Sequence, residues 1–237
     1  MDIQLDKILF LDIETVPETY HYHDLDETTA YLFDAKNARF LTDEKREADV
    51  YRDRAGIYAE FGKIVCISVG FVRSTVTGRT IRVKSFAHDD EETLLRQFAR
   101  LLADNYNTQH HYLCGHNAKE FDFPFICRRM LIHGIRLPQA LDLAGKKPWE
   151  IPHLDTLELW KFGDYKHFTS LKLMCKVLGI PSSKGDIDGS QVGHTFYVDK
   201  DIDRIVTYCE KDTIAVAQIF LRLRREDLLI EDEIIHV

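Results

Sequence analysis

No hydrophobic run in the chain approaches the length of a membrane span. The opening apolar stretch is broken at Asp12 and carries neither a cationic leader nor a small-residue cleavage site. A membrane or secreted protein is not expected; a cytoplasmic one is. Cysteine is scarce: Cys66, Cys114, Cys127, Cys175 and Cys209 are odd in number, widely spaced and never at zinc-knuckle intervals. This excludes a disulfide framework and predicts reduced, mostly buried thiols. Positive charge is deficient as well. A net charge of −8 argues against a general nucleic-acid binder, which neutralises phosphates with surplus Lys and Arg. Internal repeats and low-complexity tracts are absent.

What remains is ordinary globular material: 237 residues, 45% hydrophobic and 11% aromatic, enough for one sizeable core and one domain spanning 1–237. Residues 7–13, Ile64 to Val72 and Thr80 to Phe86 read as an antiparallel trio of strands. Residues 18–60 interrupt that trio with eleven acids, six bases and little regular apolar spacing, so an insertion of surface helices or a partly mobile flap is expected. Asp89-Asp90-Glu91-Glu92 marks a helix start, followed by Leu94, Leu95, Phe98, Leu101 and Leu102 at helical spacing. His111 to Gly115 suits a buried strand and Phe121 to His133 a helix. A further helix over Thr169 to Leu178 ends at Gly179, and residues 201–225 form a long terminal helix. The predicted class is α/β, a mixed sheet with helices on both faces.

Within this pattern certain acids are misplaced. Asp12 and Glu14, in Ile8-Leu9-Phe10-Leu11-Asp12-Ile13-Glu14-Thr15, leave the same face of a strand about 7 Å apart. A strand ending in a solvated acidic turn would give the same pattern. Asp212 falls on the apolar stripe Ile205, Cys209, Val216, Ile219 and Leu223, where an unpaired charge is costly. Tyr208, four residues earlier, shares its helix face and could equally be a core aromatic with a satisfied hydroxyl. Asp122 shares a stripe with Phe125, Ile126 and Arg129, or caps a helix N-terminus. Four carboxylates in three segments suit hard divalent cations, whose paired charge of about four would offset them.

The trio Asp-x-Glu at 12 and 14, Asn-x3-Phe-Asp at 117–122 and Tyr-x3-Asp at 208–212 resembles, in order and internal spacing, the three motifs of DEDD-type 3′→5′ exonucleases. Tyr208 points to the tyrosine subclass, since Thr207 occupies the position where the histidine subclass has its His. The chain is most similar to stand-alone bacterial proteins related to the proofreading exonuclease of family B DNA polymerases, a placement reinforced by Lys184 to Val192. The resemblance implies a ribonuclease H-like fold with a central mixed five-stranded sheet, and two Mg²⁺ or Mn²⁺ ions held by Asp12, Glu14, Asp122 and Asp212. Tyr208 would orient the attacking water. Thr15 would touch the terminal nucleotide, Asn117 would brace substrate or site, and Phe121 would pack near the terminal base. The expected partner is nucleic acid, single-stranded DNA at its 3′ end before RNA. A catalytically silent binding module of the same fold is the alternative, as is an RNA-directed exonuclease. Protein partners are not readable.

Asp155, Asp186 and Asp188 are further acids near the inferred site. A calcium loop over the last two is rejected, because glycine falls at its fourth position and Tyr197 where a bidentate Glu is required. A turn stabilised by Asp side chains fits better. Charge is uneven: residues 119–184 hold eleven Lys and Arg against seven Asp and Glu, so they carry +4 and the remainder −12. Lys161, Lys166, Lys172, Lys176 and Lys184, interleaved with Trp160, Phe162, Tyr165 and Phe168, form either a strip that tracks phosphates and stacks bases or a solvated helix face beside core aromatics.

Overall fold

In the computed structural model, which describes residues 3–75, 78–164, 166, 168–181 and 187–237, the apolar strands form a single sheet. The members are β1 (Ile8–Pro17), β2 (Gly62–Thr75), β3 (Gly78–Ala87), β4 (Tyr112–Gly115), β5 (Leu154–Asp155) and β6 (Ile234–His236), in the order β5-β4-β1-β2-β3-β6. β1 pairs antiparallel with β2, and β2 with β3; β4 runs parallel to β1, β5 to β4 and β6 to β3. The expected mixed sheet is present with one strand more than five. That sixth strand, from three largely exposed residues near the C-terminus, is too short to carry an alternation signal.

β1 is central because Ile8, Leu9, Phe10 and Leu11 are apolar on both faces and fully buried. Leu9, Leu11 and Ile13 pack against helices α3 (Glu91–Asn105) and α4 (Asp122–Ile132), while Ile8, Phe10 and Val16 point to the other face. The small α1 (Glu27–Asn37), α2 (Glu47–Arg54), α5 (Thr156–Lys161), α6 (Leu171–Leu178) and α7 (Val192–His194) lie around these layers. The second face is covered by α8 (Ile202–Leu223): Ile205, Cys209 and Val216 of the predicted stripe pack there with Ala217 and Phe220, while its Ile219 and Leu223 pack toward α6. Burial of each large side chain contributes roughly 1.5–3 kcal/mol, so the two faces supply most of the cohesion. Gly70 of β2 lets α8 approach: a Cβ there would meet the Thr213 methyl at 3.3 Å and Ile81 at 3.0 Å.

The insertion is helical rather than a flap. Asp26 caps α1 by accepting from the N–H groups of Thr28 and Thr29, and Phe33, Val50, Tyr51, Ala55 and Phe61 bury their own small core. One polar link ties it to β1, the Thr15 hydroxyl donating to Gly56 O at 2.7 Å, and the Tyr51 hydroxyl closes the insertion on its own start by donating to Thr19 O at 3.1 Å. All five cysteines are free, and four are buried. Among the described residues no helix is long and apolar enough to cross a membrane. Tyr165, Lys184, Gly185 and Asp186 lie outside the described residues; Asp188 accepts from Ser190 N at 2.9 Å in the expected Asp-stabilised turn.

Candidate active site

Asp12 and Glu14 continue the β1 face that begins with Ile8 and Phe10, so the strand's period of two carries both under the N-terminal half of α8. Glu14 is only 8% exposed. A bulge in the β1–β2 pairing falls between Glu14 and Thr15, where the extra twist re-aims the end of the strand. Burial, followed by the repulsion of Glu14, Asp122 and Asp212, raises the Asp12 carboxyl well above its ordinary range. Glu14 is raised similarly by burial, then by Asp212, Cys66 and Asp122.

α8 supplies the second wall. The Cys209 thiol donates to Asp12 O at 3.3 Å and to its Oδ2 at 3.5 Å, and ligand atoms of Asp12, Glu14 and Cys209 all lie within 4.8 Å of one another. One helical turn separates Tyr208 from Asp212, and the phenol donates to the carboxylate. Burial, with the negative charge of Asp212, Glu14 and Asp12, pushes the Tyr208 hydroxyl far above its usual range, whereas burial raises Asp212 to about 6. A hydrogen-bonded row fixes α8 on the sheet beside these groups. Ser68, opposite Asp12 on β2, meets Ser85 of β3 at 2.7 Å, and Ser85 donates to Glu210 at 2.8 Å.

The third wall is the turn after β4. Gly115 is required by contact, since a Cβ there would stand 2.4 Å from the Ala118 methyl. Asn117 adopts a left-handed φ of 61°, a conformation Asn tolerates. Asp155, 2% exposed, organises the turn by accepting from Asn117 N and Lys119 N at 3.0 Å, and it caps α5 by accepting from Leu157 N at 2.9 Å and Glu158 N at 3.4 Å. The turn delivers Asp122 to the first position of α4, 4% exposed. Burial raises its carboxyl to about 7. Phe121 stacks at a tilt on Phe125, ring centroids 5.5 Å apart.

All four predicted acids thus face one another electrostatically, with Tyr208 among them. Asp122 and Asp212 stand outside the tight Asp12, Glu14 and Cys209 group. Among the described residues no Lys or Arg forms an ion pair with any of the four. Buried oxygen ligands repelling one another without a protein cation are a donor set that fits hard divalent ions. Cys209 and the holding role of Asp155 were not legible in sequence: the thiol sat on an apolar stripe like any core residue, and Asp155 showed only as a nearby acid.

Residues 57–233 match a protein family described as "Predicted 3'-5' exonuclease related to the exonuclease domain of PolB". No curated protein matches. Among solved structures, the family B DNA polymerase from the hyperthermophilic archaeon Pyrobaculum calidifontis is similar at 15% identity and a TM-score of 0.52, over 90% of this chain and 24% of the polymerase. The chain therefore spans about a quarter of that polymerase. The shared fold is the mixed α/β, ribonuclease H-like architecture with helices on both faces of the sheet.

Proposed function

Because the chain belongs to the family of predicted 3′-5′ exonucleases related to the exonuclease domain of PolB, we propose that it is a metal-dependent 3′→5′ exonuclease of the tyrosine subclass. It acts in the cytoplasm on the 3′ end of single-stranded DNA and releases nucleoside 5′-monophosphates. The observation that carries this is the convergence of Asp12, Glu14, Asp122 and Asp212 from three segments, with no Lys or Arg among the described residues forming an ion pair with any of them.

Asp12, Glu14, Asp122 and Asp212 would hold two Mg²⁺ or Mn²⁺ ions. When bound, these lower the pKa of the attacking water and stabilise the departing 3′ oxygen of an in-line displacement. The chain's own groups do the positioning. Tyr208, kept protonated by its surroundings, is a poor base and acts as a neutral donor orienting the water. The Thr15 hydroxyl already donates to Gly56 O, so it meets the terminal nucleotide as an acceptor, through its free lone pairs. Asn117, held by Asp155, braces the strand end, and Phe121 offers its partly exposed ring to the terminal base.

The test is 5′-labelled single-stranded DNA and RNA incubated with Mg²⁺, Mn²⁺ or EDTA, beside Asp12→Ala. The expected result is a ladder shortening from the 3′ end of DNA, requiring metal and reduced on the order of a thousandfold or more in the variant. Equal cleavage in EDTA or by Asp12→Ala would remove the metal-dependent site, and intact substrate under every condition would leave a silent binding module.

A further inference from the structure

We propose that the face running from Phe162 past Phe168 along α6 is the docking surface for the single strand whose 3′ end enters the acidic site, an inference that rests on the exonuclease proposal for its substrate. Phe162 is 84% exposed and Phe168 64% exposed. They stand at either end of the connection from α5 to α6, two large apolar rings left facing water. Phe162 also ends α5 in a left-handed conformation, φ 45°, a position usually held by glycine.

α6 extends the surface. Met174 and Cys175 turn inward against Ile219 of α8, which leaves Lys172, Leu173, Lys176 and Val177 facing out, two ammonium groups alternating with two aliphatic side chains. Lys161 and Lys166 add positive charge, so residues 161–178 hold four lysines and the single acid Asp164 in a chain of net charge −8. Asp188 is within electrostatic reach of Lys172 and trims that charge locally.

Continuity with the acidic site rests on two contacts. His116, the neighbour of Asn117, bonds Thr169 O at 2.8 Å and Thr156 Oγ1 at 2.9 Å, and the edge of the Phe168 ring lies against it at 6.4 Å between centroids. On the inner side of α6, Cys175 is near enough to Asp212 to feel its charge. The surface therefore starts at the rim of the acidic site and leads away from it.

The occupant is a single strand rather than a duplex. Ring faces need unstacked bases, whereas paired bases are already stacked on one another, and lysines at successive helical turns suit a phosphate backbone. Trp160, by contrast, packs on the Met174 and Ile219 cluster and takes no part.

The experiment measures fluorescence anisotropy of a labelled oligothymidine of about twenty nucleotides across a salt series, in the Asp12→Ala background so that nothing is hydrolysed. Phe168→Ala is expected to weaken binding about tenfold. The pair Lys172→Ala and Lys176→Ala is expected to lower the slope of log affinity against log salt by about 1.4. Tyr31→Ala, an exposed ring on the insertion, should bind like the parent. Parental affinity and slope in the α6 and Phe168 variants, or no binding by the parent, would overturn the surface. Normal laddering of the wild-type protein alongside that result would leave the exonuclease proposal standing; binding that depends on Phe168 and the lysines without laddering would do the reverse.

Discussion

A single buried carboxylate, Glu91, and a group of four at the end of β1 differ in how they are balanced. On the α3–α4 side, Glu91 is 5% exposed and fully partnered: Arg129 Nε donates to it at 2.9 Å, Ile64 N at 2.7 Å, and His133 Nε2 lies at 2.7 Å. Arg129 also donates to Ala59 O and reaches Glu18, so the cluster clamps the insertion to α4. At the end of β1 beneath α8, four carboxylates meet, and among the described residues no Lys or Arg forms an ion pair with them. A buried charge answered by the protein is structural; one left unanswered stores a repulsion that a ligand can relieve.

Breaking the balanced cluster should have the largest effect. Arg129→Met leaves Glu91 buried without its main partner and is expected to cost about 3–5 kcal/mol, measured as a lower urea midpoint at unchanged slope. A small loss would mean that the clamp is not what holds α4.

Acid should act next, through His153. Its Nδ1 accepts from Leu113 N at 3.2 Å while Nε2–H donates to Ala140 O at 2.6 Å, and burial depresses its pKa to about 4. The unfolded chain therefore takes up a proton near pH 6.5 that the folded chain refuses until about pH 4. The part of the stability that His153 contributes above pH 6.5 should fall by roughly 3 kcal/mol across that window. His153→Gln should flatten this part of the pH profile of thermal unfolding.

Within the acidic site, Tyr208→Phe removes the phenol that bonds Asp212 and is expected to lower kcat about tenfold to a hundredfold with little change in KM. A rise in KM alone would make Tyr208 a substrate contact instead.

The smallest effect is also the sharpest test of the comparison. Asp122 and Asp212 have folded-state values of about 7 and 6, above their unfolded value, so the folded chain binds more protons between pH 4 and 7. Their contribution to metal-free stability should therefore fall as pH rises through that interval, opposite in sign to the contribution of His153. Asp12→Asn should raise the metal-free melting temperature at pH 8 by about 2–4 °C, about 1 kcal/mol, yet gain less from added Mn²⁺ than the wild type. Destabilisation by Asn would show that these acids are balanced after all.

Much of the architecture was legible because periodicity survives in the local pattern. The buried run of β1, the caps at Asp90 and Gly179, and the α8 stripe interrupted by Asp212 all lie where spacing puts them. The insertion was harder: its core joins Phe33, Tyr51 and Phe61 across long separations, with no repeat to announce them. Strand β6 was hardest, since its pairing to β3 depends on a neighbour distant in sequence.

The sequence by itself determined that Asp12, Glu14, Asp122 and Asp212 are anomalous, since an acid on an apolar face costs free energy wherever the face is buried. Only the tertiary structure showed that Glu91 and Asp155 are buried too, and decided which buried acids are answered. Glu91 met Arg129 across 38 positions, and Asp155 met the backbone of residues 117–119. Asp12, Glu14, Asp122 and Asp212 met one another. Charge balance is a property of distance in space, and a linear chain encodes that distance only once it has folded.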